Sequence, residues 1–145
     1  MSPERFKLIA SVYLLFVKDG KILMLRRANT GYEDGNYSLV AGHADGNEAL
    51  TAATVREAKE ESGVTIASKD LRLKVVMHRH ADDERLDFFF EPSAWTGEIQ
   101  NMEPNKCDDL SWFPLDELPG NTIPYIREAI RAYREGVGYV EWGWE

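Results

Sequence analysis

The stretch of sequence that decides the fold runs from Gly42 to Val64 and reads GHADGNEALTAATVREAKEESGV. Its beginning is rich in Gly, Asp and Asn, which predicts a polar turn. The residues from Glu48 to Ser62 are rich in Ala and Glu, which favour a helix. Gly63 is well placed to end that helix, because glycine adopts the left-handed backbone conformation at little cost. The stretch therefore predicts a loop, one helix and a second loop.

Three glutamates of the predicted helix fall on one face. Glu57, Glu60 and Glu61 stand at positions i, i+3 and i+4, so their carboxylates would lie next to each other. Like charges at this spacing repel by roughly a few tenths of a kcal/mol per pair, so the arrangement needs compensation. Hard oxygen ligands of this kind suit Mg²⁺, with Mn²⁺ as a substitute. A solvated acidic helix face is the alternative for these three residues alone.

The spacing of the whole stretch resembles the Nudix box, G-x5-E-x7-R-E-U-x-E-E-x-G-U, in which U is an apolar residue. Gly42 is followed after five residues by Glu48, and seven further residues lead to Arg56 and Glu57. All the fixed Gly, Glu and Arg positions are present. With about a one-in-fifteen chance at each, a random match has a probability on the order of 10⁻⁸ per starting point. Chance is therefore not a serious explanation.

The resemblance to Nudix proteins extends beyond the box. Arg26-Arg27 and the segment WFPLDELP at Trp112–Pro119 are similar to segments of many Nudix proteins, so the similarity spans residues 8 to 134. It implies an α/β fold, an α/β/α sandwich with a mixed, partly antiparallel curved sheet between helices.

The flanking sequence predicts the strands and the second helix that this fold needs. Apolar runs at Leu8–Val17 and Ile22–Leu25 are separated by Asp19-Gly20, which is a strong hairpin signal. A last helix is predicted from Pro124 to Gly136. The other predicted strands lie at Tyr37–Ala41, Leu71–Met77, Leu86–Phe90 and Leu110–Phe113.

The composition limits the classes of partner. The chain has 145 residues, 43% hydrophobic and 29% charged, without a repeat or linker, so we expect a single domain over residues 1–145. A net charge of −8 argues against a broad nucleic-acid-binding face, whereas a small phosphorylated ligand is compatible because a divalent cation can reverse the local sign. The apolar run from Leu8 to Val17 is too short to span a membrane, and a single cysteine fits a reducing compartment. We expect a cytoplasmic monomer or homodimer without nucleic-acid or membrane partners.

The resemblance also implies roles for residues of the box. Glu57, Glu60 and Glu61 would be metal ligands, together with the backbone carbonyl of Gly42. Glu57 is also implied as the base that activates water, and Glu60 as a further catalytic residue. Arg56 would orient the glutamates through charge-assisted hydrogen bonds.

Further residues, inside and outside the box, are candidates for the remaining roles. The resemblance implies a fourth metal-binding carboxylate from outside the box, with Glu103 as first choice, Glu98 as second and an ordinary loop glutamate as the alternative for each. Glu48 would fix the loop and pair with Arg56. The substrate-binding candidates are Arg26, Arg27, His43, Asn121 and Phe90. Asn121 would read the edge of a purine base and Phe90 would stack on a base, with a turn residue and a core residue as the respective alternatives. His43 would contact a phosphate or a metal, with an ordinary loop residue as the alternative. The aromatic residues Tyr139, Trp142 and Trp144 would cover the core or form a dimer contact.

The activity implied by the resemblance is metal-dependent hydrolysis of a nucleoside diphosphate linked to another moiety. A nucleoside triphosphate, modified or oxidised forms included, is the first candidate, with a monophosphate and diphosphate as products. ADP-ribose, a nucleotide sugar, a dinucleoside polyphosphate and a non-nucleotide diphosphate are alternatives. A sensor module without turnover is a second class, although such modules lose box glutamates. An isopentenyl diphosphate isomerase is a third, but it needs a catalytic cysteine, and Cys107 falls in a predicted loop.

Overall fold

The computed structural model describes residues 4–145, which form nine strands and two α-helices. The strands are β1 (Ile9–Leu14), β2 (Val17–Lys18), β3 (Lys21–Arg27), β4 (Tyr37–Ser38), β5 (Ala41–His43), β6 (Leu71–His80), β7 (Glu84–Pro92), β8 (Cys107–Pro114) and β9 (Tyr139–Trp142). The helices are α1 (Leu50–Ser62) and α2 (Pro124–Glu135). Neither helix within these residues is long and apolar enough to cross a membrane.

The strands form two sheets with mixed pairing. The first has the order β5-β1-β7-β6-β9, in which β1–β7 and β6–β9 are parallel and the other pairs are antiparallel. In the second, β3 pairs antiparallel with β2, β4 and β8. Helix α1 lies against β1 and β5, and α2 lies against β6 and β9. The predicted mixed sheet between helices is therefore confirmed.

Strand β1 shows why the first apolar run is uninterrupted. Val12 and Leu14 belong to the core on the side of α1, whereas Tyr13 and Leu15 belong to the core on the side of α2. Successive side chains point to opposite faces of a strand, so a strand buried on both faces is apolar at nearly every position. Within the run, β1 is a central strand of an α/β/α sandwich, but the run as a whole is not the single strand that was predicted, because Val17 already begins β2 in the other sheet.

Helix α1 begins later than predicted and ends where predicted. It starts at Leu50, because the Glu48 carboxylate accepts hydrogen bonds from the Asp45 N–H (3.0 Å) and from Arg56 and so belongs to the preceding loop. At the other end, Gly63 has a φ of 79°. This left-handed conformation is the one for which glycine is favoured at a helix end.

Two other predicted features have different outcomes. The hairpin at Asp19-Gly20 is confirmed, with φ values of 54° and 75° that match the turn preferred between two antiparallel strands. Strand β9 was not predicted. It pairs with β6 and buries Val140, while Tyr139 and Trp142 remain 52% and 36% exposed. The aromatic C-terminus therefore adds an edge strand that covers the core mainly through Val140.

Candidate active site

Strand β5 and helix α1 bring Gly42 and Glu57 into direct contact. A Cβ atom at residue 42 would overlap the carboxylate of Glu57. Gly42 does not have a positive φ, so close approach, rather than backbone conformation, requires glycine at this position. The first glycine of the box thus makes room for one of its glutamates.

Arg56 connects the helix to the loop in front of it. Its Nη2 donates to Glu48 Oε1 (2.8 Å) and to the His43 carbonyl (3.2 Å), and its Nη1 donates to Glu57 Oε1 (2.8 Å). The bond to Arg56 lowers the pKa of Glu48, which keeps this carboxyl ionised and paired. Charge-assisted bonds of this kind are shorter and stronger than neutral ones. The predicted pairing of Arg56 with Glu48 is therefore confirmed.

The environment of Glu61 favours the neutral form of its carboxyl group over the charged form. Burial raises its pKa to about 8, and the neighbouring charges of Glu57 and Glu103 act in the same direction. The Ala41 N–H, which donates to Glu61 Oε1 at 3.0 Å, opposes this shift. Burial also raises the pKa of Glu57, against the effect of Arg56. Carboxylates in such surroundings are stabilised as anions by a cation bound between them.

The donors around Gly42 fit a divalent cation. Carboxylate oxygens of Glu57 and Glu61 and a backbone carbonyl are hard ligands of the kind that Mg²⁺ and Mn²⁺ prefer. Within residues 4–145, no three His, Cys, Asp or Glu side chains already surround a metal position. In the structure, the Glu57 carboxylate instead contacts Arg56, and that of Glu61 contacts Ala41.

The other predicted carboxylates lie at different distances from this centre. Glu60 is exposed at 55% of its side chain, and its Oε2 lies 3.7 Å from Arg56 Nη1. Glu103 is partly buried, and its charge acts on Glu61. Glu98 is fully on the surface. Of the two candidates from outside the box, Glu103 is therefore the one that the structure brings towards the glutamates.

The two predicted arginines of β3 have different partners. Arg27 donates from Nε to the Tyr32 carbonyl (2.7 Å), and its charge lowers the pKa of Glu61. Arg26 donates from Nε to Asp108 Oδ1 (2.7 Å). The pairing of β3 with β8 shifts in register between these two arginines, so the simple alternation of side chains does not apply to them. Of the two, Arg27 is the one whose charge acts on Glu61.

The remaining substrate candidates are not gathered at one point. His43 Nε2 lies 3.1 Å from Nη1 of Arg85 and accepts a hydrogen bond from it, because an arginine nitrogen only donates. Asn121 donates from Nδ2 to the Gly35 carbonyl at 2.7 Å. Phe90 is only 6% exposed and packs in the core beside α1. Its prediction as a stacking residue is corrected, because its ring is enclosed by core side chains.

We expect Asn121→Ala to weaken the binding of all nucleotides by a similar factor, about fivefold. Its amide nitrogen is already bonded to Gly35, and a lost hydrogen bond contributes about 1 kcal/mol. KM values for substrates with different bases measure this effect. A change in base preference without a common loss would instead identify Asn121 as a residue that reads the base.

Cys107 lies at the start of β8 and not in a loop. It is 7% exposed, its Sγ donates to the Asp109 carbonyl at 3.2 Å, and burial raises the pKa of the thiol. The thiolate is the reactive form of cysteine, so this environment gives no support to the isomerase alternative.

Two contributors to the site were missed. The Ala41 N–H holds Glu61, and no sequence pattern reveals a backbone donor. Tyr32 lies beside Arg27, with the guanidinium carbon 5.4 Å from its ring centre. The sequence did mark Tyr32, because it is the only aromatic residue in the polar stretch between Ala28 and Asn36.

Comparisons with known proteins agree with this architecture. The sequence model of the NUDIX domain matches residues 5–133. The NAD-capped RNA hydrolase NudC of Pseudomonas aeruginosa is 28% identical over 113 residues, which cover 78% of the chain and 38% of that protein. The NudC of Pectobacterium carotovorum is 30% identical over 139 residues, with 90% and 52% covered. The chain thus spans about half or less of the length of these curated relatives.

A solved structure supports the fold independently of the sequence comparisons. The MutT NUDIX hydrolase from Burkholderia pseudomallei superposes with a TM-score of 0.79 at 26% identity, covering 87% of this chain and 98% of that one. The NudC proteins are named for a capped RNA, so the expectation of no nucleic-acid partner is in tension with these relatives. Because the domain match covers most of its length and every fixed position of the box is present, the chain belongs to the Nudix family.

Proposed function

We propose that this protein is a Mg²⁺-dependent pyrophosphohydrolase that cleaves a phosphoanhydride bond in a nucleoside diphosphate linked to another group. Nucleoside triphosphates are the first substrate class, with a monophosphate and diphosphate as products. One observation carries the proposal: Glu57 and Glu61 are partly buried beside Gly42, where burial raises the pKa of both carboxyls. Such an arrangement favours a bound cation, and Nudix hydrolases generally use divalent cations.

In this proposal Glu57, Glu61 and the Gly42 carbonyl hold Mg²⁺, with Glu60 and Glu103 beside them. When bound, the cation supplies an acidified water and neutralises charge on the phosphates. The cation also offsets charge repulsion, because a diphosphate approaching a protein of net charge −8 would otherwise be repelled.

The protein's own groups supply orientation and proton transfer. Arg56 donates to Oε1 of Glu57, while Oε2 receives no hydrogen bond from the described residues and is open either to the cation or to a proton from water. Burial raises the pKa of Glu57, which improves a carboxylate as a general base at neutral pH. Arg27, whose charge acts on Glu61, would contact a phosphate oxygen. Because Arg56 fixes Glu57 before substrate arrives, less ordering is needed during the reaction.

A dinucleotide of the NAD type, free or at an RNA end, is the second candidate substrate. The curated relatives named NAD-capped RNA hydrolase align with 78% and 90% of this chain, which favours this class over nucleotide sugars. The same carboxylates would act on the diphosphate of either substrate, so the product distinguishes the two. A triphosphate releases diphosphate, whereas NAD releases two monophosphates.

A product screen tests both candidates. The protein with Mg²⁺ is incubated with canonical and oxidised nucleoside triphosphates, NAD, ADP-ribose, nucleotide sugars and dinucleoside polyphosphates, and the products are separated by chromatography. Glu61→Gln serves as the blank, and Glu117→Gln, which changes an exposed loop glutamate, serves as the matched control. We expect diphosphate release from triphosphates in the wild type and the control only. Equal turnover in Glu61→Gln, or no turnover of any compound, would contradict the proposal.

A further inference from the structure

The loop from Ala28 to Asn36, between β3 and β4, is held in one conformation by its own side chains. We call it the Tyr32 loop. The Asp34 carboxylate accepts hydrogen bonds from the N–H groups of Thr30 (3.1 Å) and Gly31 (2.9 Å) and from the Thr30 hydroxyl. These bonds lower the pKa of Asp34, so the carboxylate remains an acceptor. A polar loop with so many internal bonds is ordered in advance of any ligand.

Two other segments of the chain fix the same loop from outside. Asn121, just before α2, donates to the Gly35 carbonyl at 2.7 Å. Asn29 donates from Nδ2 to the Asn105 carbonyl at 3.0 Å, and the Ala28 N–H donates to the Lys106 carbonyl at 2.9 Å. The loop is thus tied both to the segment that carries Glu103 and to the start of α2.

The anchored loop presents one aromatic side chain. Tyr32 is 47% exposed, although Arg27 binds its backbone carbonyl at 2.7 Å. The Arg27 guanidinium also lies over the Tyr32 ring, 5.4 Å from its centre, and covers part of one face. The backbone of Tyr32 is fixed while much of its ring remains open to solvent. A rigid exposed aromatic ring can stack on a ligand with little loss of conformational entropy.

The position of the ring relates it to the candidate active site. Arg27, the last residue of β3, contacts both the backbone and the ring of Tyr32. The Tyr32 loop is also hydrogen-bonded to Asn105 and Lys106, which follow Glu103 closely in the chain. The ring is therefore carried by a loop that is fixed to the segment of Glu103, the candidate carboxylate from outside the box.

We propose that Tyr32 is a stacking platform for the heteroaromatic ring of the substrate, a nucleobase or a nicotinamide. The carboxylates of α1 act on the diphosphate of the same molecule, and Arg27 lies between the two. This inference rests on the proposed function and extends it, because it assigns a residue of this chain to the aromatic ring of the substrate. Stacking reads the flat face of a ring and not its hydrogen-bonding edge, so this contact tolerates different bases.

Equilibrium binding tests the proposal without turnover. The ligands are α,β-methylene analogues of ATP and CTP, which resist cleavage, and inorganic pyrophosphate, which has no ring, each with Mg²⁺. Tyr32→Ala should weaken binding of both nucleotide analogues roughly 5- to 100-fold, the range for loss of one stacking side chain. Binding of pyrophosphate should not change. Tyr32→Phe, which keeps the ring, should bind as the wild type does.

A matched control and a stability measurement exclude trivial explanations. Tyr139→Ala removes a tyrosine of similar exposure, 52%, from β9 and should alter no affinity. The melting temperature of Tyr32→Ala should stay within about 2 °C of the wild type, because the loop is anchored by other side chains.

Three outcomes would overturn the inference. They are unchanged nucleotide binding in Tyr32→Ala, an equal loss for nucleotides and pyrophosphate, and a wild type that binds pyrophosphate as tightly as the nucleotides. None of the three would contradict the proposed hydrolysis. Failure of the proposed function has a different signature, which is Mg²⁺-dependent pyrophosphate binding that survives Glu61→Gln.

Discussion

Glu61→Gln is expected to lower turnover by about a thousandfold while making the metal-free protein more stable. Glutamine has nearly the same shape and can still accept the hydrogen bond from the Ala41 N–H, which is 3.0 Å long in the wild type. It cannot supply a negative charge to a cation, so the electrostatic stabilisation of the reaction is lost. Steady-state kinetics at saturating Mg²⁺ measure the first effect. Near-normal turnover would remove Glu61 from the metal ligands.

The stability effect of the same substitution depends on pH. In the folded, metal-free protein burial raises the pKa of Glu61 from 4.5 to about 8. A raised carboxyl pKa means that the folded state binds the proton more tightly than the unfolded state. The contribution of Glu61 to stability is therefore fully present below about pH 4.5 and is lost as the pH rises to about 8.

Thermal unfolding with a chelator present measures this dependence. We expect the wild type to lose melting temperature between pH 5 and pH 8, the two limits lying near the unfolded and folded pKa values. Glu61→Gln should lose less and should melt several degrees higher at pH 8. Mg²⁺ should raise the melting temperature of the wild type only, because it binds the folded carboxylates. Parallel curves for the two proteins would contradict the assigned environment of Glu61.

Gly42→Ala is expected to have the second largest effect, a loss of activity of about a hundredfold. The added methyl group would overlap the Glu57 carboxylate, so this side chain or the loop must move. A displacement of about 1 Å at a catalytic group costs on the order of a hundredfold in rate. The overpacking should also lower the free energy of unfolding by about 1–3 kcal/mol. Kinetics and denaturant unfolding measure the two effects.

Two further variants separate this steric effect from a general intolerance of alanine. Gly120→Ala places the same methyl group where no atom lies within 4 Å, and it should keep both activity and stability. Adding Glu57→Ala to Gly42→Ala should restore stability without restoring activity, because the overlap is removed together with the carboxylate. If Gly42→Ala kept the wild-type rate, catalysis would not depend on the position of the Glu57 carboxylate, which would contradict the prediction.

Local patterns predicted most of the fold because they depend on neighbours in sequence. The run from Leu8 to Val17, the turn at Asp19-Gly20 and the helix end at Gly63 were each predicted from a few adjacent residues. The structure confirms the turn and the helix end, and it divides the run between β1 and the start of β2. The order of the strands and the edge strand β9 were not predicted. They are decided by pairing between distant segments, such as Tyr139 beside Val76, for which a single sequence carries no signal.

In the candidate site, too, local features were predictable from the sequence and contacts between distant segments were not. Spacing on one helix predicted that Glu57, Glu60 and Glu61 share a face, and the resemblance to the family predicted the pairing of Arg56 with Glu48, which is confirmed. Contacts across the fold were not predictable in this way. The use of Asn121 to anchor Gly35 depends on which loops become neighbours after folding.

The burial of Phe90 has a related cause. Three consecutive phenylalanines occupy one strand, and their exposure depends on which face of the sheet α1 covers. The structure places Phe90 in the core beside α1, and Phe89 is fully buried in the core beside α2. Sequence alone offered no means of choosing between a core and a binding role for Phe90.

The position of the metal tests the central claim most directly. Crystals of the protein soaked in Mn²⁺, with data collected at the manganese absorption edge, would locate the ion by its anomalous scattering. We expect a peak within coordination distance of the Gly42 carbonyl and of the Glu57 and Glu61 carboxylates, and no peak there in Glu61→Gln. A Mn²⁺-activated enzyme whose anomalous peak lies elsewhere, or a peak that Glu61→Gln retains, would contradict the account.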